Sequence, residues 1–222
     1  MKGLDCAKHL SKKSDLISFK PQLFLNAVNL KNTIKAFNTY LKYLPEDCII
    51  GDITSIKGDL PVFYKDCHKR FVSIHPMFGP NFANLKEIKN ENVILISESD
   101  TKAKNFFRLF FKNFNLHIFE YSFSTHDELM AYSLTLPFSS SIVFSACVTG
   151  NTVPGTTFSR HKEIAQKLFR EDNYLLSEIL FNPYSMKQLE KICSQLEFLK
   201  HVIKAKDYDE ADKFFKRLKR NL

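Results

Sequence analysis

The sequence contains no tryptophan, only six glycines and five cysteines among its 222 residues. The glycines stand at positions 3, 51, 58, 79, 150 and 155, so a G-x-G-x-x-G loop, which cradles a pyrophosphate, cannot occur. The cysteines are odd in number, scattered and without a C-x-x-C pair, which argues against a disulfide framework and a zinc site. We therefore predict no metal centre, and a reducing cytoplasm fits this cysteine usage.

Charged residues are missing between Leu129 and Val148, a stretch about as long as a membrane span. It contains Pro137 and six serines and threonines, and no basic cluster flanks it, so a helix buried in the protein is favoured over a span. The N-terminal residues also lack the apolar core of a secretory signal. We expect a cytoplasmic protein without a membrane partner.

Basic residues outnumber acidic ones by 32 to 24, giving a net charge of +8. This balance is compatible with nucleic acid, anionic lipid or small acidic substrates, and it does not choose among them. The basic segment 213–220 (KFFKRLKR) places its phenylalanines and its cations on opposite faces of a helix. A solvated amphipathic helix is therefore favoured over a nucleic-acid site.

Short β-branched runs alternate with helical ones up to residue 123. Strands are predicted at residues 22–28, 48–54, 71–76, 92–97 and 116–123. Helices are predicted at 31–43, 60–67 and 101–114, the last with one apolar face made of Ala103, Phe106, Phe107, Phe110 and Phe114. This alternation indicates crossover units on a mostly parallel sheet.

After residue 124 the strand patterns disappear. Apolar residues then recur at steps of three and four, at Leu189, Ile192, Cys193, Leu196, Leu199 and Ile203 and again at Ala211, Phe214, Phe215 and Leu218. This spacing predicts an all-helical half. We place the domain boundary so that residues 1–123 form the sheet domain and residues 124–222 the helical domain.

Three predicted strands end in small or polar residues, in the segments 26–29 (NAVN), 52–57 (DITSIK) and 75–76 (HP). Ligands of open parallel sheets lie beyond the carboxyl ends of the strands. Pro76 terminates its strand and leaves His75 at that edge, while Gly79-Pro80 permits a sharp turn close to a ligand. A neutral imidazole there could accept a substrate proton, and the alternative is a histidine bonded to backbone.

The motif HPMFGP (75–80), which follows DITSIK (52–57), and the later HDELMAYSL (126–134) resemble the prephenate dehydrogenase family. The resemblance runs from about residue 20 to the C-terminus. It implies an α/β fold class, with an incomplete Rossmann-like parallel sheet followed by an all-helical dimerisation domain. It also implies that the chain begins partway through the nucleotide-binding domain, and that it forms a homodimer through the helical half.

The activity that the resemblance implies is NAD-dependent oxidative decarboxylation of prephenate to 4-hydroxyphenylpyruvate, a step towards tyrosine. NADP is not excluded as cofactor, nor arogenate as substrate. Ala27, Val28 and Thr54 are predicted to contact the cofactor at the strand ends. Because the phosphate cradle is absent from the sequence, we expect weak NAD binding, and a non-catalytic or truncated dimeric fragment that binds the acid is the alternative function.

By the resemblance, His75 takes or polarises the proton of the ring hydroxyl and Ser55 orients His75, while Lys57 and His126 contact the substrate. Each has an alternative that the residues alone leave open. Ser55 could cap a helix, Lys57 could be a solvated surface cation, and His126 could simply begin a helix.

Prephenate carries two carboxylates, for which Arg160 and Lys167 are the predicted cations. The family places two arginines about eight residues apart here, so the match is imperfect, and an exposed helix face is the alternative. Many family members carry S-H-L-P-H where this chain has Ser133-Leu134-Thr135-Leu136-Pro137-Phe138, so two histidines of the family pattern are replaced.

Overall fold

The computed structural model describes residues 13–78, 88–150 and 153–221. By its contacts the chain divides into two compact units, Met1–Leu129 and Met130–Leu222. The division falls six residues after the predicted domain boundary, near the end of the first helix of the predicted helical half. The predicted turn at Gly79-Pro80 lies outside the described residues.

The first unit is built on a five-stranded sheet in the order β1-β2-β3-β4-β5. The strands are β1 (Leu23–Asn26), β2 (Ile49–Asp52), β3 (Phe71–Pro76), β4 (Asn92–Ile96) and β5 (His117–Tyr121). The pairs β1–β2, β2–β3 and β4–β5 are parallel, and β3–β4 is antiparallel. The predicted α/β class with a Rossmann-like, mostly parallel sheet is confirmed.

Register brings the carboxyl ends of β1, β2 and β3 to one edge of the sheet. Asn26 lies opposite Asp52, and Asp52 lies opposite Ser73. Gly51 on β2 allows the neighbouring strands to pack closely, since an added Cβ atom would lie 2.9 Å from Cγ1 of Val72. The polar ends of β1 and β2 are therefore neighbours in space, and His75 lies two residues beyond Ser73 on β3.

Helices α1 to α4 and all but the last residue of α5 belong to the first unit; the five helices are Lys13–Phe19, Thr33–Tyr40, Leu60–Cys67, Thr101–Lys112 and Phe123–Met130. Asp100 caps α4 by accepting a hydrogen bond from the backbone N–H of Ala103. The predicted apolar face of α4 is partly wrong, because the helix buries Ala103, Phe107 and Phe111 while Phe106 is 57% exposed. Ala103, Phe107 and Phe111 are spaced four residues apart and face the sheet, so the adjacent row of side chains, which includes Phe106, is exposed to solvent.

The second unit is helical throughout its described part. A π-helical turn (Ala131–Thr135) leads into α6 (Leu136–Cys147), and the others are α7 (Thr156–Leu168), α8 (Asn173–Leu180), α9 (Ser185–Ala205) and α10 (Tyr208–Lys219). The wide turn lies just before Pro137, whose nitrogen has no hydrogen to donate. On α10, Phe214 is buried and the cations of residues 213–220 are exposed, as expected of an amphipathic helix.

The uncharged stretch predicted as a buried core helix is less buried than expected. By length and composition the continuous helix Phe123–Cys147 could cross a membrane, and only 22% of its most apolar window is buried inside the chain. In α6 itself the buried residue is Ser139, whereas Val143 is 49% exposed. Within one chain the stretch is therefore not a fully buried core helix, because α6 leaves apolar side chains such as that of Val143 in contact with solvent.

Candidate functional site

A buried carboxylate organises the edge of the sheet where β2 ends. Oδ1 of Asp52 accepts hydrogen bonds from the Thr54 backbone N–H at 3.0 Å, the Thr54 hydroxyl at 2.7 Å and Nζ of Lys57 at 2.8 Å. Oδ2 accepts from the Tyr64 hydroxyl at 2.7 Å. Four donors therefore replace the water that the carboxylate loses on burial.

The ammonium of Lys57 lies wholly inside the protein, with its side chain 0% exposed. Besides Asp52, its Nζ atom donates to the Ile74 carbonyl oxygen at 2.8 Å and lies 3.4 Å from Oγ1 of Thr54. Burial acts to raise the pKa of Asp52, but the Lys57 charge and the hydrogen bonds outweigh it and hold that pKa below its ordinary value. The pair is thus an internal ion pair that ties the end of β2 to β3.

His75 follows Ile74 on β3 and is 5% exposed. Its Nδ1 atom lies 2.9 Å from Nε2 of His126, whose ring is fully buried at the second turn of α5. On its other side, Nδ1 of His126 lies 2.8 Å from Oδ1 of Asp127. The three side chains form a continuous row from β3 to the carboxylate.

Both imidazoles are held in the neutral form. Burial, the neighbouring His126 and the Lys57 charge lower the pKa of His75 to about 3, against an opposing effect of Asp52. Burial also lowers the pKa of His126, although the hydrogen bond to Asp127 acts the other way. At neutral pH His75 therefore has one ring nitrogen with a hydrogen and one with a lone pair.

The contact predicted for Lys57 differs from the one in the structure, and that predicted for Ser55 is not tested by it. Lys57 is neither a surface cation nor exposed for direct contact with a substrate, because its ammonium is buried against Asp52 and the Ile74 carbonyl. Ser55 is half-buried, and Nδ1 of His75 shares its hydrogen bond with Nε2 of His126. The orienting role predicted for Ser55 thus stays a prediction.

The residues predicted for cofactor contact differ in their exposure. Ala27 and Val28 are exposed just beyond β1, and the Val28 backbone N–H donates to Oδ1 of Asn26 at 3.3 Å. Thr54 is buried, and both its hydroxyl and its backbone N–H donate to Asp52. The strand-end edge thus offers Ala27 and Val28 to a ligand, while Thr54 holds the interior together.

Arg160 and Lys167 lie in the second unit, on helix α7, and both are exposed. Seven residues make nearly two helical turns, so the two cations share one face of the helix. That face is directed away from Ala165 and Leu168, the buried residues of α7. Their predicted role as carboxylate ligands stays a prediction.

Three residues of the site, Asp52, Tyr64 and Asp127, were missed from sequence. Asp52 and Asp127 stand inside the quoted segments DITSIK and HDELMAYSL, yet neither was given a role. A signal existed for Asp127, since a carboxylate beside a histidine is a frequent partner of the ring. For Tyr64, which donates to Asp52 from twelve residues away, the sequence offers no such signal.

Comparison with known proteins identifies the fold. No protein-family model matches the sequence, and no curated protein matches it. The structure is similar to that of prephenate dehydrogenase from Aquifex aeolicus in complex with hydroxyphenyl propionate and NAD+, with a TM-score of 0.80, 20% identity and coverage of 96% of this chain and 79% of that one. It is also similar to Synechocystis arogenate dehydrogenase, with a TM-score of 0.70, 16% identity and coverage of 96% and 81%. The chain therefore has the fold of these dehydrogenases.

Proposed function

We propose that the chain belongs to the prephenate dehydrogenase family and is a cytoplasmic enzyme that oxidises and decarboxylates prephenate to 4-hydroxyphenylpyruvate with NAD. The observation that carries the proposal is the placement of His75. It stands at the carboxyl end of β3, with its Nδ1 atom engaged by His126, in a fold shared with prephenate and arogenate dehydrogenases. Arogenate is the alternative substrate and NADP the alternative cofactor.

In the proposed reaction, bound NAD would accept the hydride from the ring carbon that carries the hydroxyl. Neutral His75 accepts or polarises the proton of that hydroxyl through its Nε2 atom, and loss of carbon dioxide makes the ring aromatic. Lys57 acts indirectly: its positive charge, together with the burial of the ring, keeps His75 neutral. Ala27 and Val28, exposed at the same edge as the end of β3, are the proposed cofactor contacts.

Two parts of this assignment rest on charge and composition. Arg160 and Lys167 supply the cations that two carboxylates require. The sequence has no G-x-G-x-x-G loop, and we propose that NAD is therefore held less tightly than in sheets that carry one. Binding of the acid without turnover is the function that would follow if NAD is not held at all.

The chain incubated with prephenate and NAD is expected to form NADH and 4-hydroxyphenylpyruvate in equal amounts. Nicotinamide absorbance and mass spectrometry measure the two products, and parallel reactions with NADP and with arogenate, which would give tyrosine, assign cofactor and substrate. Calorimetry with prephenate alone separates the alternative, since binding without product indicates an acid-binding protein. The proposal would be overturned if the chain neither bound nor turned over prephenate or arogenate.

We also propose that the second unit forms the interface of a homodimer. Apolar residues are exposed on its helices, including Leu196 and Ile203, which lie seven residues apart on one face of α9 and are 49% and 65% exposed. Val143 on α6 is 49% exposed as well. Monomeric proteins seldom leave such apolar surface in water, and a second copy of the same face would cover it.

Light scattering is expected to report a dimer of the unmodified chain at micromolar concentration and a monomer of the Leu196→Glu variant. The charge would have to be buried without a partner in the interface, which is costly. Val62→Glu is the matched control, because Val62 is exposed on α3 of the first unit and its replacement leaves the proposed interface intact. A monomeric unmodified chain would refute this interface.

A further inference from the structure

His126 occupies an unusual position for a buried histidine. A histidine packed into a core usually bonds to backbone, whereas both nitrogens of this ring face titratable side chains, His75 at 2.9 Å and Asp127 at 2.8 Å. The rings of His75 and His126 meet edge to face, with their centroids 5.1 Å apart and their planes at 66°. Each ring nitrogen of His126 therefore has a defined partner, and the directions of the hydrogen bonds can be deduced.

The carboxylate sets the direction of every bond in the row. The Asp127 carboxylate accepts hydrogen bonds, so Nδ1 of His126 carries the hydrogen. Neutral His126 then has its lone pair on Nε2, and that atom must accept from Nδ1–H of His75. Neutral His75 in turn has its lone pair on Nε2, the nitrogen directed away from His126.

We propose that His126 and Asp127 are positioning residues that fix His75 in the tautomer with its hydrogen on Nδ1 and so present Nε2 as the proton acceptor. The inference rests on the proposed function for the identity of the proton donor, the ring hydroxyl of the substrate. It goes beyond that function in assigning His126, which sequence reasoning considered a substrate contact or a helix-start residue, to a role behind the reacting ring.

The row also carries the proton away from the reacting atoms. When the substrate O–H bond breaks, an N–H bond forms at Nε2 of His75. Its Nδ1–H bond can then break as an N–H bond forms at Nε2 of His126, so that the positive charge resides on His126. There it lies against the Asp127 carboxylate, and His75 is again neutral with its remaining hydrogen on Nε2.

The Asp127 carboxylate is anchored from a second direction. Its Oδ1 atom lies 3.4 Å from the backbone N–H of Lys57, which belongs to the segment that follows β2. The charged groups that act on the two rings are Lys57, whose positive charge disfavours the imidazolium forms, and Asp52 and Asp127, which favour them. Of these three groups, Asp127 is the one in direct contact with a ring, so it determines where the hydrogens lie.

Nuclear magnetic resonance of the whole chain with ¹⁵N-labelled histidine tests the tautomer without any turnover. The chain has seven histidines, and the signal lost in His75→Gln identifies His75. We expect His75 to carry its hydrogen on Nδ1 at neutral pH, and we expect Asp127→Ala to abolish that preference. Glu128→Ala, which removes an exposed carboxylate one residue further along α5, should leave the His75 signals unchanged.

Kinetics separates positioning from a structural role. His126→Leu removes the acceptor and should lower kcat by roughly 10- to 100-fold with little change in KM, since the base itself remains. His126→Gln retains an oxygen that can accept from Nδ1 of His75, and it should recover part of the loss. The circular dichroism of both variants shows whether they fold.

Each outcome decides the proposal. Hydrogen on Nε2 of His75 in the unmodified chain, or the same tautomer preference in Asp127→Ala, would overturn it. Equal loss of kcat in the folded leucine and glutamine variants would do the same. A chain that turns over neither prephenate nor arogenate would refute the proposed function. The resonance experiment would still decide whether Asp127 and His126 fix the tautomer of His75.

Discussion

Replacement of His75 by asparagine is expected to lower kcat for prephenate oxidation by about two to four decades. Asparagine is similar in size and can form hydrogen bonds, but it cannot take up a proton at neutral pH. The KM for prephenate and the affinity for NAD should change little, because the substitution removes an interaction of the transition state. Steady-state rates with each substrate varied in turn measure the effect.

The matched control for this experiment is His117→Asn. His117 is also on a strand of the first unit, but it is exposed on β5 and is not part of the row formed by His75, His126 and Asp127. Its replacement should leave kcat within a factor of about two. A His75→Asn variant with unchanged turnover would remove His75 from the mechanism. The similarity of the fold would then be the only support for the proposed function.

The sequence predicted the elements of the first unit because each has a local cause. The β2 run is apolar and β-branched, and Pro76 at the end of β3 cannot donate to a neighbouring strand. Parallel pairing then places the ends of β1, β2 and β3 at one edge. The position of His75 at that edge was therefore predictable from residues close to it in the chain.

The partners of the site residues were not predictable in this way. His75 meets His126 from 51 residues away, and Lys57 meets the Ile74 carbonyl from 17 residues away. Neither contact follows from a helical or strand period, because each depends on how α5 and the segment after β2 pack against β3. The pKa of His75 was not predictable for the same reason, because it is the packed surroundings of the ring that lower it to about 3.

Burial in the second unit was overestimated for a related reason. Leu196 fits the apolar spacing of α9, and Val143 lies in the uncharged stretch that was predicted to be a buried helix. Spacing shows which face of a helix avoids water, but it does not show whether that face is covered by the same chain or by another copy. The exposure of both residues within one chain is what makes the dimer a testable proposal.

Lys57→Met is expected to lower the free energy of unfolding by about 3–5 kcal/mol. Methionine fills much of the same space but leaves the Asp52 carboxylate buried without its opposite charge, and it removes the donor to the Ile74 carbonyl. Thr54 and Tyr64 would still bond to Asp52, yet they carry no charge to offset its burial. Urea unfolding followed by circular dichroism at neutral pH measures the loss.

Two further variants separate the ion pair from general damage to the fold. Lys65→Met removes an exposed lysine from α3 and should change stability by no more than about 0.5 kcal/mol. Asp52→Asn combined with Lys57→Met removes both charges, so the double variant should be more stable than Lys57→Met alone, even though an amide in place of the carboxylate accepts fewer hydrogen bonds. A loss below about 1 kcal/mol in Lys57→Met would show that the pair is not the internal tie described above.

The loss of unfolding free energy in Lys57→Met should depend on pH, in a direction that the pKa of Asp52 determines. In the unmodified chain the pKa of Asp52 lies below its ordinary value, so its contribution to stability is present above about pH 4 and is lost as the pH falls through the folded-state pKa. Without Lys57 the buried carboxylate favours protonation, and its pKa in the folded protein rises above the unfolded value. The difference between the two proteins should therefore be largest at neutral pH and shrink towards about pH 4, whereas a loss caused by packing alone would not vary with pH.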